Sequence, residues 1–366
     1  MSSARAASSV DDLPPDSDAL EGALNPRETP ELFGHEAAET EFLDAFRRGR
    51  MPQAWLIGGP QGVGKATFAW RAARFVLSRP DPRLPAVERA TNLRVSPDEP
   101  AARRIIARAH PDVACLRREW DARTKKHFTE IRVDDVRKAL AMFHHAAGEG
   151  GWRVAVIDSA DDLNTAGANA LLKMIEEPPP RSLFFILAHR PARVLPTIRS
   201  RCRRLTLQPL APEAIARAVR AQGEDWAEHS DAELMQAAMR AGGSVRDAMR
   251  LLAQGALGMA ERTEAELARL PQVDMRRIMA LADAVHGREG AESFEILLGA
   301  VYDWLDRTVR ARAQEPGAAQ RLAPFAQVWE KIAASARETQ ALNLDRRPLV
   351  LSIFSDLSDA ERASRS

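Results

Sequence analysis

The chain has 366 residues, of which 45% are hydrophobic, and its 52 basic residues nearly balance its 51 acidic ones. This length exceeds what one compact core usually holds and predicts two or three domains. The near-neutral charge excludes a strongly basic protein that coats nucleic acid over its whole surface. The two cysteines, Cys115 and Cys202, lie far apart and provide neither a disulfide framework nor a cysteine-based zinc site.

Acidic residues are concentrated at the start of the chain. Residues 1–44 contain 11 acids and 2 bases, whereas residues 45–366 contain 40 acids and 50 bases. Residues 1–25 are rich in Ser, Ala, Asp and Pro, which predicts a disordered acidic tail. No run of 18 apolar residues occurs, and the first residues carry acids where a secretory signal carries bases. We therefore expect a cytoplasmic protein without a membrane partner.

Short apolar runs alternate with helical patterns over residues 26–208. A helix is predicted near 35–48, and four apolar runs have the length of strands, at 54–57, 112–116, 154–157 and 183–187. This alternation predicts an α/β domain with a parallel sheet covered on both faces. Residues 79–100 are rich in proline and predict a long loop. After Pro209 the strand patterns stop, which predicts a small helical domain over 209–262 and an all-α domain over 270–366.

Residues 59–65, Gly-Pro-Gln-Gly-Val-Gly-Lys, match the pattern G-x-x-x-x-G-K between a predicted strand and a predicted helix. In this pattern the glycines let backbone N–H groups surround a phosphate, and the lysine reaches the outer phosphates. We therefore predict a nucleotide-binding phosphate loop that includes Gly59, Gly62, Gly64 and Lys65.

Two positions of the predicted nucleotide site lack the residues that hydrolysis needs. The residue after Lys65 is Ala66, where Ser or Thr would ligate Mg²⁺, and Thr67 is rotated about 100° along the helix from that position. Asp158 ends a predicted strand where an acid near the metal is expected, but Ser159 replaces the acid that would activate water. We expect a degenerate site that requires no cofactor, or that holds ATP or ADP without hydrolysis.

Further segments resemble the clamp-loader subunits of bacterial DNA polymerase III, a family of the AAA+ superfamily. Residues 169–179, Asn-Ala-Leu-Leu-Lys-Met-Ile-Glu-Glu-Pro-Pro, resemble the family's N-A-L-L-K-x-x-E-E-P segment. Ser200-Arg201-Cys202 resembles its S-R-C motif, and residues 242–248, which include Arg246, resemble its second sensor. Residues 343–345, Asn-Leu-Asp, resemble a segment late in its C-terminal domain, which is a weaker match.

The resemblance implies an AAA+ P-loop domain, a small helical lid domain and an all-α collar for oligomerisation. It implies a hetero-pentamer with tau/gamma and delta subunits, which loads a sliding clamp onto primed DNA for the DNA-directed DNA polymerase. Arg201 would act as an arginine finger in trans, on ATP held by a neighbouring subunit, while Ser200 and Cys202 would position it. Arg246 would face a nucleotide or form an interdomain salt bridge.

Within this family, an intact S-R-C motif combined with Ala66 and Ser159 differs from the tau/gamma motor subunit. The combination implies a subunit without ATPase activity of its own. Two alternatives remain open: an active AAA+ motor, such as tau/gamma or a branch-migration helicase, and a nucleotide-sensing regulator outside the replisome. No zinc or other metal is expected, because residues 78–114 lack the four cysteines that hold zinc in some relatives.

Overall fold

The structure of the chain is a computed structural model, and contacts divide it into two compact units, Met1–Ala248 and Met249–Ser366. In the part that the structure describes, no helix is long and apolar enough to cross a membrane. The described residues are 16, 19, 20, 22–144, 148, 151–253, 256–287, 290–313, 318–342 and 344–365.

The N-terminal unit is built on a five-stranded parallel sheet, with a separate two-stranded hairpin. The strands in chain order are β1 (Ala54–Gly58), β2 (Val113–Leu116), β3 (Trp120–Asp121), β4 (Lys126–His127), β5 (Arg153–Ile157), β6 (Ser182–Ala188) and β7 (Arg203–Thr206). The order across the sheet is β2-β5-β6-β1-β7, and β3 pairs with β4 in the hairpin. The predicted parallel sheet is confirmed, and β7 is an additional strand that the sequence did not predict, because Leu205 is its only buried residue.

Helices surround the sheet and continue beyond it. Those of the first 252 residues are α1 (Glu36–Arg47), α2 (Lys65–Ser78), α3 (Pro85–Glu88), α4 (Pro100–Ile106), α5 (Val133–Leu140), α6 (Thr165–Glu176), α7 (Pro196–Arg199), α8 (Pro212–Arg220), α9 (Glu224–Ala227), α10 (Asp231–Arg240) and α11 (Val245–Leu252). Short 3₁₀ helices cover Ala141–His144, Ala160–Asp162 and Pro191–Arg193.

The two central strands are buried on both faces, as the uninterrupted apolar runs predict. Every residue of β5 and β6 is buried. Phe185 packs with side chains of α1 and α2 on one face, whereas Phe184 packs with side chains of α5 and α6 on the other. The period of two along a strand therefore divides one sheet between two apolar layers.

Two segments differ from the sequence-based prediction. Residues 79–100, predicted as a loop, include α3 and bury Val87, Leu93 and Val95 in the core, because these isolated apolar side chains anchor an otherwise aperiodic segment. The predicted tail 1–25 is described only at residues 16, 19, 20 and 22–25, and those residues make contacts. For example, Trp226 Nε1 donates a hydrogen bond to Gly22 O at 2.9 Å.

The C-terminal unit is all-helical, as predicted. After the end of α11 its helices are α12 (Ala256–Leu267), α13 (Met275–Ala284), α14 (Gly290–Arg312), α15 (Ala318–Ala341) and α16 (Arg347–Arg365). Contacts divide the chain after residue 248, and Met259 and Leu267 of α12 pack into the C-terminal core. The domains 209–262 and 270–366 stay predictions. Asn343 lies outside the described residues.

A buried ion pair joins α1 to α2, the helix that follows the phosphate-loop sequence. Arg71 Nη2 lies 2.8 Å from Glu39 Oε1, and both side chains are almost fully buried. Arg71 also donates a hydrogen bond to Pro30 O. Removing one charge of such a pair leaves the other buried without its counterion, which is costly.

We therefore predict that Glu39→Gln lowers the free energy of unfolding of the N-terminal unit by about 3–5 kcal/mol. Asp44→Asn, on the same helix, is the matched control: its exposed pairs with Arg47 and Arg48 contribute less than about 1 kcal/mol. Urea unfolding measures both variants, and equal losses would contradict the role of burial.

Candidate nucleotide-binding loop and the exposed arginine

The predicted phosphate loop connects β1 to α2, as the G-x-x-x-x-G-K pattern requires. Gly62 and Gly64 have φ of +78° and +103°, a region that side chains other than glycine rarely adopt. Gly64 is also the N-cap of α2. The loop therefore turns into the N-terminus of a 14-residue helix, where backbone N–H groups and the helix dipole favour a phosphate.

The loop lysine is held by the loop itself. Lys65 is 5% exposed, and its Nζ donates hydrogen bonds to Gly59 O at 2.7 Å and to Pro60 O at 2.5 Å. Backbone carbonyls thus satisfy its ammonium group in this conformation. A nucleotide phosphate bound here would take the place of these carbonyls as the acceptor for Lys65.

The side chains around the loop provide little for a magnesium ion. Ala66 has no hydroxyl, and its methyl group packs against the apolar core. Thr67 is half-buried in the first turn of α2. Asp158 follows β5, so it lies at the same sheet edge as the loop, with β6 between their strands. The next residue, Ser159, is 4% exposed, and its Oγ has no hydrogen-bond partner among the described residues.

The segment that resembles the second sensor contacts the phosphate loop directly. Val245 N donates a hydrogen bond to Gly62 O at 3.0 Å. A Cβ added to Gly62 would lie 2.8 Å from Cβ of Arg246 and would also overlap Ser244. The structure therefore brings together two sequence-predicted parts of the site, Gly62 of the loop and Arg246, which are 184 residues apart in the chain.

Two further residues hold this region, and sequence reasoning missed both. His35 is buried and its Nε2 donates to Val63 O at 2.7 Å, while burial lowers the pKa of His35. Asp161 accepts hydrogen bonds from the backbone N–H groups of His189 at 2.6 Å and Arg190 at 2.9 Å, which fixes the end of β6. A lone histidine and a loop aspartate carry no sequence signal, because their partners are backbone groups far away in the chain.

Arg201 is exposed and held by neighbouring groups of its own chain. Its Nη2 lies 2.7 Å from Glu176 Oε1, and its Nη1 donates to Thr197 O at 3.1 Å. Glu176 belongs to the segment of α6 that carries the N-A-L-L-K resemblance, where Lys173 and Glu177 are also exposed. The side chain of Arg201 is 42% exposed, so the guanidinium keeps access to solvent and to another molecule.

The sheet register separates Arg201 from the phosphate loop of the same chain. β1 and β7 are parallel, with Trp55 beside Arg203 and Gly58 beside Thr206. Arg201 precedes β7, whereas the loop follows β1. At about 3.3 Å per residue, β7 alone separates them by roughly 10 Å along the strand direction. The two candidate groups therefore lie at opposite edges of the sheet.

Ser200 and Cys202 lie on either side of Arg201. Ser200 Oγ donates to Thr197 O at 3.0 Å. Burial raises the pKa of the Cys202 thiol to about 12, so the thiolate needed for nucleophilic chemistry is scarce at neutral pH. Within the described ranges, no group of three or more His, Cys, Asp and Glu side chains is arranged to hold a metal ion.

Comparison with known proteins gives one family and several relatives. Residues 34–211 match the family described as "DNA polymerase III, delta subunit". The chain is 34% identical over 157 residues to the DNA polymerase III subunit delta' of Pseudomonas aeruginosa, which covers 42% of this chain and 43% of that protein. It is 30% identical over 176 residues to the delta' subunit of Escherichia coli, covering 48% of each chain.

A second type of relative is the DNA polymerase III subunit gamma/tau of Mycobacterium tuberculosis. It is 28% identical over 290 residues, which cover 79% of this chain and 47% of that protein. The chain thus spans about half the length of the curated relatives that it matches. The resemblance to clamp-loader subunits that the sequence motifs carry is confirmed by these matches.

The contact between Gly62 and residues 244–246 yields a prediction. Gly62→Ala places a Cβ against Ser244 and Arg246, whereas Gly49→Ala, at a similar φ of +63°, meets nothing within 4 Å. We expect the first to lower the free energy of unfolding of the N-terminal unit by roughly 1–3 kcal/mol more than the second, because only it adds a steric clash to the backbone strain. Urea unfolding of both variants tests this. Equal decreases in the free energy of unfolding would contradict a steric clash at Gly62.

The buried His35 yields a pH prediction. Because its pKa is lowered in the folded state, the unfolded chain binds the proton more readily. The stabilisation is therefore complete above the ordinary pKa of about 6.5 and is lost as pH falls below it. We expect unfolding free energy to decrease between pH 7.5 and 5.5 more steeply in the native chain than in His35→Gln. Parallel pH profiles would contradict this.

Proposed function

We propose that this chain, whose residues 34–211 match the family described as "DNA polymerase III, delta subunit", is a non-hydrolysing, delta'-type subunit of a bacterial clamp loader. It would complete the ATP site of a neighbouring motor subunit with Arg201 during loading of the sliding clamp onto primed DNA. The observation that carries this proposal is the placement of an exposed Arg201 at the sheet edge opposite its own phosphate loop.

The composition of the phosphate loop supports a subunit that does not hydrolyse ATP. The backbone N–H groups of residues 61–65 and the ammonium of Lys65 would hold nucleotide phosphates, so the loop fits ATP or ADP. Ala66 offers no oxygen to Mg²⁺, and Ser159 cannot act as the base that a carboxylate would provide. Both losses affect hydrolysis, whereas neither removes a phosphate contact of the loop.

The role of Arg201 follows from its chemistry. During transfer of a γ-phosphoryl group, negative charge spreads over the equatorial oxygens, and a guanidinium placed there stabilises it. An arginine guanidinium presents its hydrogen-bond donors in a planar fork. In the free chain Glu176 holds this fork at the surface, and at an interface the guanidinium would exchange that carboxylate for the neighbour's γ-phosphate.

The proposed partners follow from the same assignment. They are tau/gamma and delta subunits in a hetero-pentamer, the sliding clamp, and primed DNA contacted through the assembly. The all-helical C-terminal unit would provide the oligomerisation contacts. Met275 and Met279, four residues apart on α13, are 50% and 51% exposed, and an exposed apolar pair on one helix face suits a helix of another subunit.

Each of the two rival assignments conflicts with one residue of this chain, Ala66 for an active motor and Arg201 for a regulator. An active motor, whether tau/gamma or a branch-migration helicase, would hydrolyse ATP at the loop of Ala66 without the hydroxyl ligand. A nucleotide-sensing regulator outside the replisome would have no neighbouring ATP site for Arg201.

We predict that the purified chain hydrolyses no ATP alone and raises ATP turnover by a tau/gamma partner on primed DNA. Because an arginine finger contributes about 10³–10⁵ in rate, Arg201→Ala should lower turnover at the completed site by at least about a hundredfold. Arg204→Ala is the matched control, since Arg204 is also exposed and lies three residues away.

Turnover by the chain alone would favour the motor assignment. Equal stimulation by the native chain and Arg201→Ala would exclude the trans-acting arginine. An equal loss in Arg204→Ala would mean that positive charge in this region matters, rather than the position of Arg201.

A further inference from the structure

Three arginines converge on one carboxylate at the start of the chain. Asp16 forms ion pairs with Arg27, Arg108 and Arg117. Arg108 Nη2 lies 2.8 Å from Asp16 Oδ1. Asn25 Nδ2 donates a further hydrogen bond to Asp16 Oδ2 at 2.5 Å. One carboxylate is thus surrounded by three guanidinium groups and one amide, which are all hydrogen-bond donors.

The charge of this cluster is not balanced by Asp16. Its three guanidinium groups carry three positive charges and the carboxylate carries one negative charge. The side chains of Arg27 and Asp16 are 5% and 14% exposed, so water screens their interaction weakly. Burial tends to raise the pKa of Asp16, yet Arg27 and Arg117 lower it below its ordinary value, so the carboxylate stays ionised. An anion with more charge and more oxygens would match the donors better.

Contacts that do not involve Asp16 hold the arginines. The Arg27 guanidinium lies 5.8 Å from the centre of the Trp70 ring, and Arg74 Nη1 donates to the backbone O of Arg27 at 2.9 Å. Arg117 directly follows β2, at the carboxyl edge of the sheet. Arg108 follows the end of α4 with φ of +56°, a common left-handed helix ending in which Arg108 N donates to Ile105 O at 3.1 Å. The backbone around each arginine is thus fixed by contacts or secondary structure of its own.

We propose that Arg27, Arg108 and Arg117 form a binding site for a phosphate group, in which Asp16 of the acidic N-terminal segment is the internal ligand. The planar guanidinium fork is suited to bidentate recognition of phosphate, and a phosphate dianion matches the charge of three arginines better than one carboxylate does. None of these residues belongs to the phosphate loop, and the site does not depend on the proposed clamp-loader function.

Asp16 competes with any external phosphate group for the three arginines. Asp16 is joined to Arg27 by only eleven residues of chain, so its effective concentration at the site is high. An external phosphate group must displace it. The native chain is therefore expected to bind phosphate weakly, and a chain without the carboxylate is expected to bind it tightly.

Thermal unfolding of the full chain tests this by replacing chloride with inorganic phosphate at constant ionic strength. Without phosphate, Asp16→Ala should unfold at a lower temperature than the native chain. With phosphate at about ten times its dissociation constant, its Tm should rise by roughly 3 °C more than that of the native chain. Asp12→Ala removes the same charge from the same segment and is the matched control.

Equilibrium dialysis with radiolabelled phosphate provides a second readout and uses Asp16→Asn, which keeps the size of the side chain. Asp16→Asn should bind one more equivalent of phosphate per chain than the native chain, and Asp16→Asn/Arg117→Ala should lose that additional equivalent. The proposal is overturned if Asp16→Asn binds no more phosphate than the native chain, if the double variant keeps the additional equivalent, or if Asp12→Ala reproduces the Tm response to phosphate.

A competition arm identifies the source of the phosphate group. Short duplex DNA is added to Asp16→Asn that holds radiolabelled phosphate. Displacement that depends on Arg117 assigns the site to a nucleic-acid backbone. Retention of the label, with saturable binding, assigns it to free phosphate or a small phosphorylated ligand.

Discussion

The parallel alignment of β7 with β1 is the constraint on which the functional account depends. Parallel strands place every loop that follows a strand at one edge of the sheet and every segment that precedes a strand at the other. The phosphate loop and Asp158 follow their strands, whereas Arg201 precedes β7. One chain thus presents a phosphate-binding loop and an arginine at opposite edges. In the proposed function, this geometry would suit a subunit placed between two others in a ring.

The phosphate loop is held in place by hydrogen bonds to its backbone carbonyls, from residues that lie outside the sequence motif. His35 holds the carbonyl of Val63, and Val245 holds the carbonyl of Gly62. Residues before the sheet and after it thereby fix the loop from both sides. These two contacts involve backbone carbonyls of the loop, so they do not depend on which side chain occupies position 66.

Motif and periodicity predicted the sheet and the loop, because each depends on residues close together in sequence, whereas Arg201 was singled out by the resemblance of Ser200-Arg201-Cys202 to the family's motif. β7 was missed since an edge strand with one buried residue resembles a loop. His35 and Asp161 were missed since their partners are distant backbone groups. The contacts of Asp16 were hidden for a different reason. Composition alone predicts disorder for an acidic segment, whereas the arginines that bind it, Arg108 and Arg117, lie about 100 residues away.

In the proposed function, Arg201 acts on a nucleotide held by another subunit. The most direct test is a structure, by cryo-electron microscopy, of the chain assembled with tau/gamma and delta subunits, an ATP analogue and primed DNA. We expect Arg201 to leave Glu176 and its guanidinium to lie about 3 Å from the γ-phosphate in the adjacent subunit. An Arg201 still paired with Glu176 and facing solvent, in a complex with nucleotide at the adjacent site, would contradict it.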